Sequence, residues 1–150
     1  MSTHHVFKAL LVEEQDDHTF SKKVVERHIT DLPENDLLID VHYSSLNYKD
    51  AMSASGNKRI SQNFPHTPGI DAAGVVVSDK SGTFSPGEEV LVFGYDLGMN
   101  TPGGLGQKIS IPAKWAVSCP DTLTLKEAMT YGTGGLTAAL CIQKLEKMGA

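Results

Sequence analysis

Turn-forming residues interrupt the chain so often before Pro120 that no long helix fits there. Asp31-Leu32-Pro33-Glu34-Asn35-Asp36, Ser85-Pro86-Gly87-Glu88 and a stretch from Gly94 to Gly106 with five glycines separate short runs rich in β-branched residues. Turn signals spaced about 8–12 residues apart between such runs indicate an all-β barrel or sandwich. Seven runs are expected as strands: Val6–Val12, Phe20–His28, Leu37–Tyr43, Ile70–Val77, Glu89–Phe93, Gln107–Ile111 and Ala116–Cys119. Leu37–Tyr43 is the clearest of them. Leu37, Ile39, Val41 and Tyr43 fall on one face and Leu38, Asp40 and His42 on the other, the period-two alternation of a half-buried strand. The lysines of Phe20–His28 predict an edge strand. Gly74, inside Ile70–Val77, predicts a bulge or a close backbone approach. In Ser85–Glu88, Pro86 presets the first corner and Gly87 accepts positive φ at the second.

Helical composition appears in two places. Asn47–Ala54 predicts one or two turns that stop before Gly56. Thr124-Leu125-Lys126-Glu127 has the capping-box pattern, in which hydroxyl and carboxylate each satisfy a free backbone N–H. A helix is expected from there to Tyr131. Gly132-Thr133-Gly134-Gly135 interrupts it, and helical spacing then resumes and ends at Gly149.

The formal net charge is −5, from 13 Lys+Arg against 18 Asp+Glu. That argues against a nucleic-acid partner, which requires a basic surface. Cys119 and Cys141 form no CxxC pair, so they are expected as reduced thiols and as small buried apolar residues. The first residues lack a charged-then-apolar signal pattern. The longest apolar run, Ala72–Val77, is far short of the ~20 residues of a membrane helix. A soluble, cytoplasmic protein is the expectation. The histidines show no ligand spacing beyond His4-His5, which is expected as a chain end and not a site. His42 is expected on the solvent side of its strand, and His18 exposed in a turn.

Two segments concentrate polar residues where strand patterns begin or stop. Ser44-Ser45-Leu46-Asn47-Tyr48-Lys49-Asp50 follows the strand ending at Tyr43. Pro68-Gly69-Ile70-Asp71-Ala72-Ala73-Gly74 begins 18 residues after Asp50. They are expected to meet at one edge of a cleft. The glycines of 94–106 match no phosphate-binding pattern such as GxxxxGK[ST].

SSLNYKDAM, FPHTPGIDAAGVV, FSPGEEVLV and LTLKEAMTYGTGGLTAAL, occurring in this order, resemble the medium-chain dehydrogenase/reductase superfamily. More narrowly they resemble its zinc-free branch of acryloyl-CoA reductases and quinone oxidoreductases. The resemblance runs from about Val6 to Met148. It implies a mainly β, GroES-like barrel domain over residues 1–123, with linking helices over 124–150. These helices would lead to an α/β Rossmann domain that binds NADPH. No GxGxxG occurs in the chain, so most of that cofactor's contacts are expected on a domain beyond it. The implied whole is a homodimer about twice this length, and the implied substrate is an acyl-CoA thioester or a quinone.

Asn47 and Ile70 stand where zinc-bearing members of the superfamily carry ligands, and neither side chain is a usual zinc ligand. No zinc is therefore expected. Without a Lewis acid, hydrogen-bond donors must stabilise the negative charge that develops on a carbonyl oxygen, and such a contribution is usually large. Asn47 and Tyr48 are the expected catalytic residues, with Tyr48 a candidate proton donor. The alternatives are a core aromatic for Tyr48 and a helix cap for Asn47. Tyr48, Lys49 and Thr133 are the expected cofactor contacts. Lys49 read alone is a solvated lysine, and Thr133 read alone lies in a helix–helix turn. Asp50 either caps the helix or pairs with a base, and Asp71 is expected to hold a loop through backbone N–H groups. Lys58 and Arg59 mark either a solvated loop or a phosphate contact. A third reading, a non-enzymatic module like the chaperonin caps that share this β fold, predicts a mobile hydrophobic loop. Residues 94–106 have few large apolar side chains to supply one.

Overall fold

The computed structural model describes residues 6–149, and His4-His5 lie outside them. Seven strands and two helices follow in the order β1 (Val6–Glu14), β2 (Phe20–His28), β3 (Leu37–Tyr43), α1 (Tyr48–Ala54), β4 (Asp71–Asp79), β5 (Glu89–Phe93), β6 (Lys108–Ile111), β7 (Ala116–Ser118) and α2 (Leu125–Lys147). Single 3-10 turns occupy Ile29–Asp31 and Ala113–Trp115. β1 and β2 form a two-stranded antiparallel sheet. The other five form an antiparallel sheet in the order β6-β3-β4-β5-β7. Bridges at Ala9–Gly106 and Val12–His66 tie β1 to the segments that lead into β6 and β4. None of the described helices is long and apolar enough to cross a membrane.

The side chains of β4 alternate between two apolar clusters. Ala72 and Val76 join Leu37, Ile39, Val90, Val92, Leu97, Ile109 and Ile111 in the main core. Ala73 and Val75 face the other way, against Leu91 of β5 and against Leu125, Ala128 and Met129 of α2. β4 is therefore covered on both faces, which suits its apolar sequence. Gly74 lies so near β3 that any Cβ there would overlap the Asp40 carbonyl. That is the close approach expected from a glycine inside a strand. At the next turn Gly87 has φ +90° and Glu88 N–H donates to Ser85 C=O at 3.1 Å, as its sequence predicts.

Three expectations need correction. β1 runs on to Glu14, because Glu13 and Glu14 pair with Ser21 and Phe20 and are not part of the turn. Tyr43 is 43% exposed and not on the buried face. Its strand shifts register between Val41 and Tyr43, skipping His42, and one extra residue in a strand reverses the facing of the residues after it. Cys141 is exposed, since no described element packs over α2 from Leu136 onward, whereas Cys119 is half-buried against the α2 cluster. Burial pushes the Cys119 thiol up, with Glu89 and Asp121 adding to the effect.

Candidate active site

The two polar segments do meet, and Asp71 is where they join. It is the first residue of β4 and fully buried. Its Oδ2 accepts hydrogen bonds from the Ser45 hydroxyl, from Asn47 Nδ2 at 3.0 Å and from the Thr133 backbone N–H at 2.8 Å. Its Oδ1 accepts from the Thr133 hydroxyl at 2.5 Å. Asn47 Nδ2 also donates to Ser45 Oγ at 3.1 Å, and the Ser44 hydroxyl donates to the Asp71 backbone carbonyl at 2.7 Å. Asp71 thus collects three side-chain donors and one backbone N–H. It sits inside the sheet, and not in a loop held by backbone groups as its sequence suggests.

The break in α2 explains how a carboxylate can be buried here among neutral donors. Helical geometry fails at Gly132, whose φ of 52° and ψ of −161° kink the helix. Thr133 therefore begins a new helical stretch, and its N–H has no carbonyl one turn back to bond to. The positive end of a helix dipole favours a carboxylate at this position. Gly132 is also the residue against which the cluster packs: a Cβ there would lie 2.8 Å from Ser45 Oγ and 3.1 Å from Asp71 Oδ2.

Asp50 anchors the neighbouring segment. It is buried, its Oδ2 accepts from the Asn47 backbone N–H at 2.8 Å, and its Oδ1 accepts from the Ile70 N–H at 2.9 Å. One carboxylate thus starts α1 and fixes α1 beside the entry to β4. Loop 94–106 closes the same region from the other side. Gly103, Gly104 and Leu105 donate backbone N–H groups to Thr67, Gly69 and Pro68 carbonyls at 2.8–3.0 Å.

Asn47 and Thr133 are brought together through Asp71, although they lie far apart in sequence. Asn47 occupies the N-cap position of α1, yet its amide nitrogen donates to Ser45 and Asp71. Tyr48 is 82% exposed at the first position of α1, so it is not a core aromatic. Lys49 is exposed beside it, with Nζ 3.9 Å from Met99 Sδ. Lys58 pairs with Glu14 at 2.5 Å and lies over the Phe64 ring at 4.7 Å. An apolar cleft of about 490 Å³ adjoins the segment before Asn47, lined by Leu10, Val24, Val41, Tyr43, Leu46 and Leu105 among others. Sequence reasoning missed Ser45 and the central place of Asp71. The available signal was Gly132-Thr133: a helix interrupted there needs an acceptor for its new N-terminus. Among the described residues, no group of three or more His, Cys, Asp or Glu is placed to hold a metal ion.

Residues 33–121 match the alcohol dehydrogenase GroES-like domain. The chain belongs to that family. It is 44% identical over 142 residues to the "Probable acrylyl-CoA reductase AcuI" of Escherichia coli K12, covering 95% of this chain and 44% of that protein. It is 43% identical over 150 residues to the "Putative quinone oxidoreductase YhfP" of Bacillus subtilis, covering 99% of this chain and 44% of that one. The yhdH oxidoreductase of Salmonella enterica, solved in complex with NADP, superposes with a TM-score of 0.91 at 41% identity, over 95% of this chain and 44% of that chain. These relatives are medium-chain dehydrogenase/reductase proteins, and this chain spans less than half of their length.

Proposed function

We propose that this chain forms the substrate side of an NADPH-dependent reductase acting on a C=C bond conjugated to a carbonyl, with acryloyl-CoA as its substrate. The observation that carries this reading is the Asp71 cluster, which joins Thr133 to Asn47, the residue that precedes the exposed Tyr48. The similarity to an acrylyl-CoA reductase supports the same choice. Residues 1–123 act as the catalytic β domain, and 124–150 as the link to the cofactor domain.

The residues present fit one side of a nicotinamide cofactor. Tyr48 and Lys49 are exposed neighbours with donor groups, Lys49 reaching a phosphate or ribose. Thr133 has directed both its donors to Asp71, so toward a bound ring it offers packing and its remaining oxygen lone pair. NADPH, when bound, supplies the hydride for the β-carbon.

The chain's own residues have two remaining tasks, to stabilise charge on the substrate carbonyl oxygen and to deliver a proton to the α-carbon. Tyr48 is suited to both, because its phenol hydroxyl is a donor on an exposed side chain. Asn47 acts differently from the donor its sequence position suggests. With its amide nitrogen engaged by Ser45 and Asp71, it positions the segment that carries Tyr48 and presents Oδ1 as an acceptor. In full-length protein, Tyr48→Phe should lower kcat by about 10²-fold with little change in cofactor affinity. Steady-state rates and NADPH titration check this, and wild-type turnover in the variant would remove Tyr48 from the chemistry.

Quinone reduction is the second reading, supported by the similarity to a quinone oxidoreductase and by the apolar cleft beside Tyr43 and Leu46. Comparing kcat/KM for acryloyl-CoA and for a naphthoquinone with one preparation decides between them.

A further inference from the structure

Tyr95 is strained, exposed and unused by the reductase reading. It follows Gly94 at the end of β5, and both residues have left-handed backbone, with φ of +70° and +53°. Glycine adopts that conformation freely, while a side chain as large as tyrosine is strained in it. The turn is fixed from both sides: Gly94 N–H donates to the Ile70 carbonyl at 2.9 Å, and Leu97 N–H donates to the Gly94 carbonyl at 3.2 Å. The other left-handed non-glycine among the described residues, His18, lies in an exposed turn between β1 and β2.

The strain places an aromatic ring. Tyr95 lies parallel to Trp115, with ring centroids 5.3 Å apart and planes 4° apart. Trp115 in turn packs against the main core. Tyr95 is nevertheless 60% exposed, so one face of its ring rests on Trp115 and the other is open. A strained backbone that leaves most of a large ring in water is not what fold stability alone selects, and strain of this kind concentrates at binding and catalytic positions. β4 and β5 pair Asp71 with Phe93, and Tyr95 lies two residues beyond Phe93 in the left-handed turn that ends β5. It stands at the Asp71 end of the sheet, on the opposite face from α2. Asp96 and Lys114 flank the two rings in sequence with opposite charges, so their formal charges cancel.

We infer that Tyr95, backed by Trp115, is a stacking platform for a planar, uncharged, conjugated ring. A quinone supplies such a ring, and so does the adenine of a nucleotide. Both share the flat π face that an aromatic side chain recognises by offset stacking.

Trp115 is the only tryptophan in the 150 residues, so its fluorescence reports directly on the stack. The chain and its Tyr95→Phe and Tyr95→Gly variants are titrated with a methylnaphthoquinone and, separately, with adenosine. Free N-acetyltryptophanamide, titrated alongside, corrects for collisional quenching and light absorption. Saturable quenching is expected in the parent chain, kept within about twofold in Tyr95→Phe and weakened about tenfold in Tyr95→Gly. Glycine relieves the left-handed strain, so Tyr95→Gly should keep the parent circular-dichroism spectrum. If it does not, Tyr95→Asn, which also tolerates this backbone and lacks the ring, takes its place. Saturation by one ligand alone identifies the source of the ring. If neither ligand quenches Trp115 more than it quenches N-acetyltryptophanamide, or if the ring-less variant binds with equal affinity, the inference is overturned. The assay needs no turnover, so a negative result leaves the reductase reading standing.

Discussion

Asp40 on β3 and Asp71 on β4 belong to adjacent antiparallel strands, and the fold must accommodate a carboxylate at each. The Asp40 side chain is 43% exposed and pairs with the Lys108 ammonium of β6, which is only 9% exposed. Asp71 is fully buried and meets no cation among its hydrogen-bond partners. Its donors are two hydroxyls, an amide and the N–H that begins the second stretch of α2. The costly partner at the first site is the buried lysine, and at the second it is the set of donors aimed at one point. A pair with one wet member can be rehydrated when broken. A buried convergence of donors has no such recourse, and every donor left over carries its own desolvation penalty. The site therefore owes its geometry to Asp71, whereas Asp40 serves mainly to keep Lys108 inside the sheet.

The strongest test of that contrast is Asp71→Ala. It strands the Ser45 and Thr133 hydroxyls, an Asn47 N–H and the Thr133 backbone N–H together, and should cost about 3–5 kcal/mol. Urea unfolding followed by circular dichroism measures it. A loss below about 1 kcal/mol would mean that water enters the cluster freely and that the burial of Asp71 has little energetic meaning.

A smaller and asymmetric effect is expected at the other carboxylate. Asp40→Ala leaves the Lys108 ammonium unpaired at a nearly buried position and should cost about 2 kcal/mol. Lys108→Met fills the same space with an apolar chain and leaves a half-exposed Asp40 to water, costing about 1 kcal/mol or less. The order of the two unfolding midpoints is the measurement. If Lys108→Met proves the more damaging, Asp40 is the member that depends on the pair, and the contrast with Asp71 fails.

Much of the scaffold was legible because it is written in local chemistry. β2, β3 and β5 have the bounds that alternation and turn residues predict, and Thr124 caps α2 with its hydroxyl accepting from Glu127 N–H. The break at Gly132 was legible for the same reason. Features that depend on pairing across the sheet could not be read locally. The outward turn of Tyr43 results from a bulge at His42, and a bulge is a property of two strands in register. The Asp71 cluster joins residues 24, 26 and 62 positions away, and no periodicity encodes such contacts. Only the family resemblance marks Asn47 and Thr133 as site residues, and it does not say how they touch. The direction of the Asn47 amide nitrogen, toward Ser45 and Asp71, emerged from the hydrogen bonds alone.

His66 extends the comparison to a buried titratable group with one neutral partner, and gives the smallest expected effect. It is 3% exposed, and its Nε2 lies 2.9 Å from the Gly98 carbonyl. Burial pushes its pKa below the ordinary histidine value, outweighing the Gly98 carbonyl and Asp96, which favour the charged form; Arg27 adds a small push downward. The unfolded chain therefore binds a proton at higher pH than the folded one. Stability from this group is fully present above about pH 6.5 and is lost as pH falls through the lower folded value. Carboxylates such as Glu14, Glu88 and Glu127, held low by their hydrogen bonds, act in the same direction at more acid pH. The informative quantity is thus a difference. Between about pH 7.5 and pH 5.5, the parent chain should lose more of its Tm than His66→Gln, which keeps a donor for Gly98 and cannot titrate. Equal losses in the two proteins would mean that His66 is wet or already charged when folded. The loop that it ties to β1 through Val12 would then be held by its backbone bonds alone.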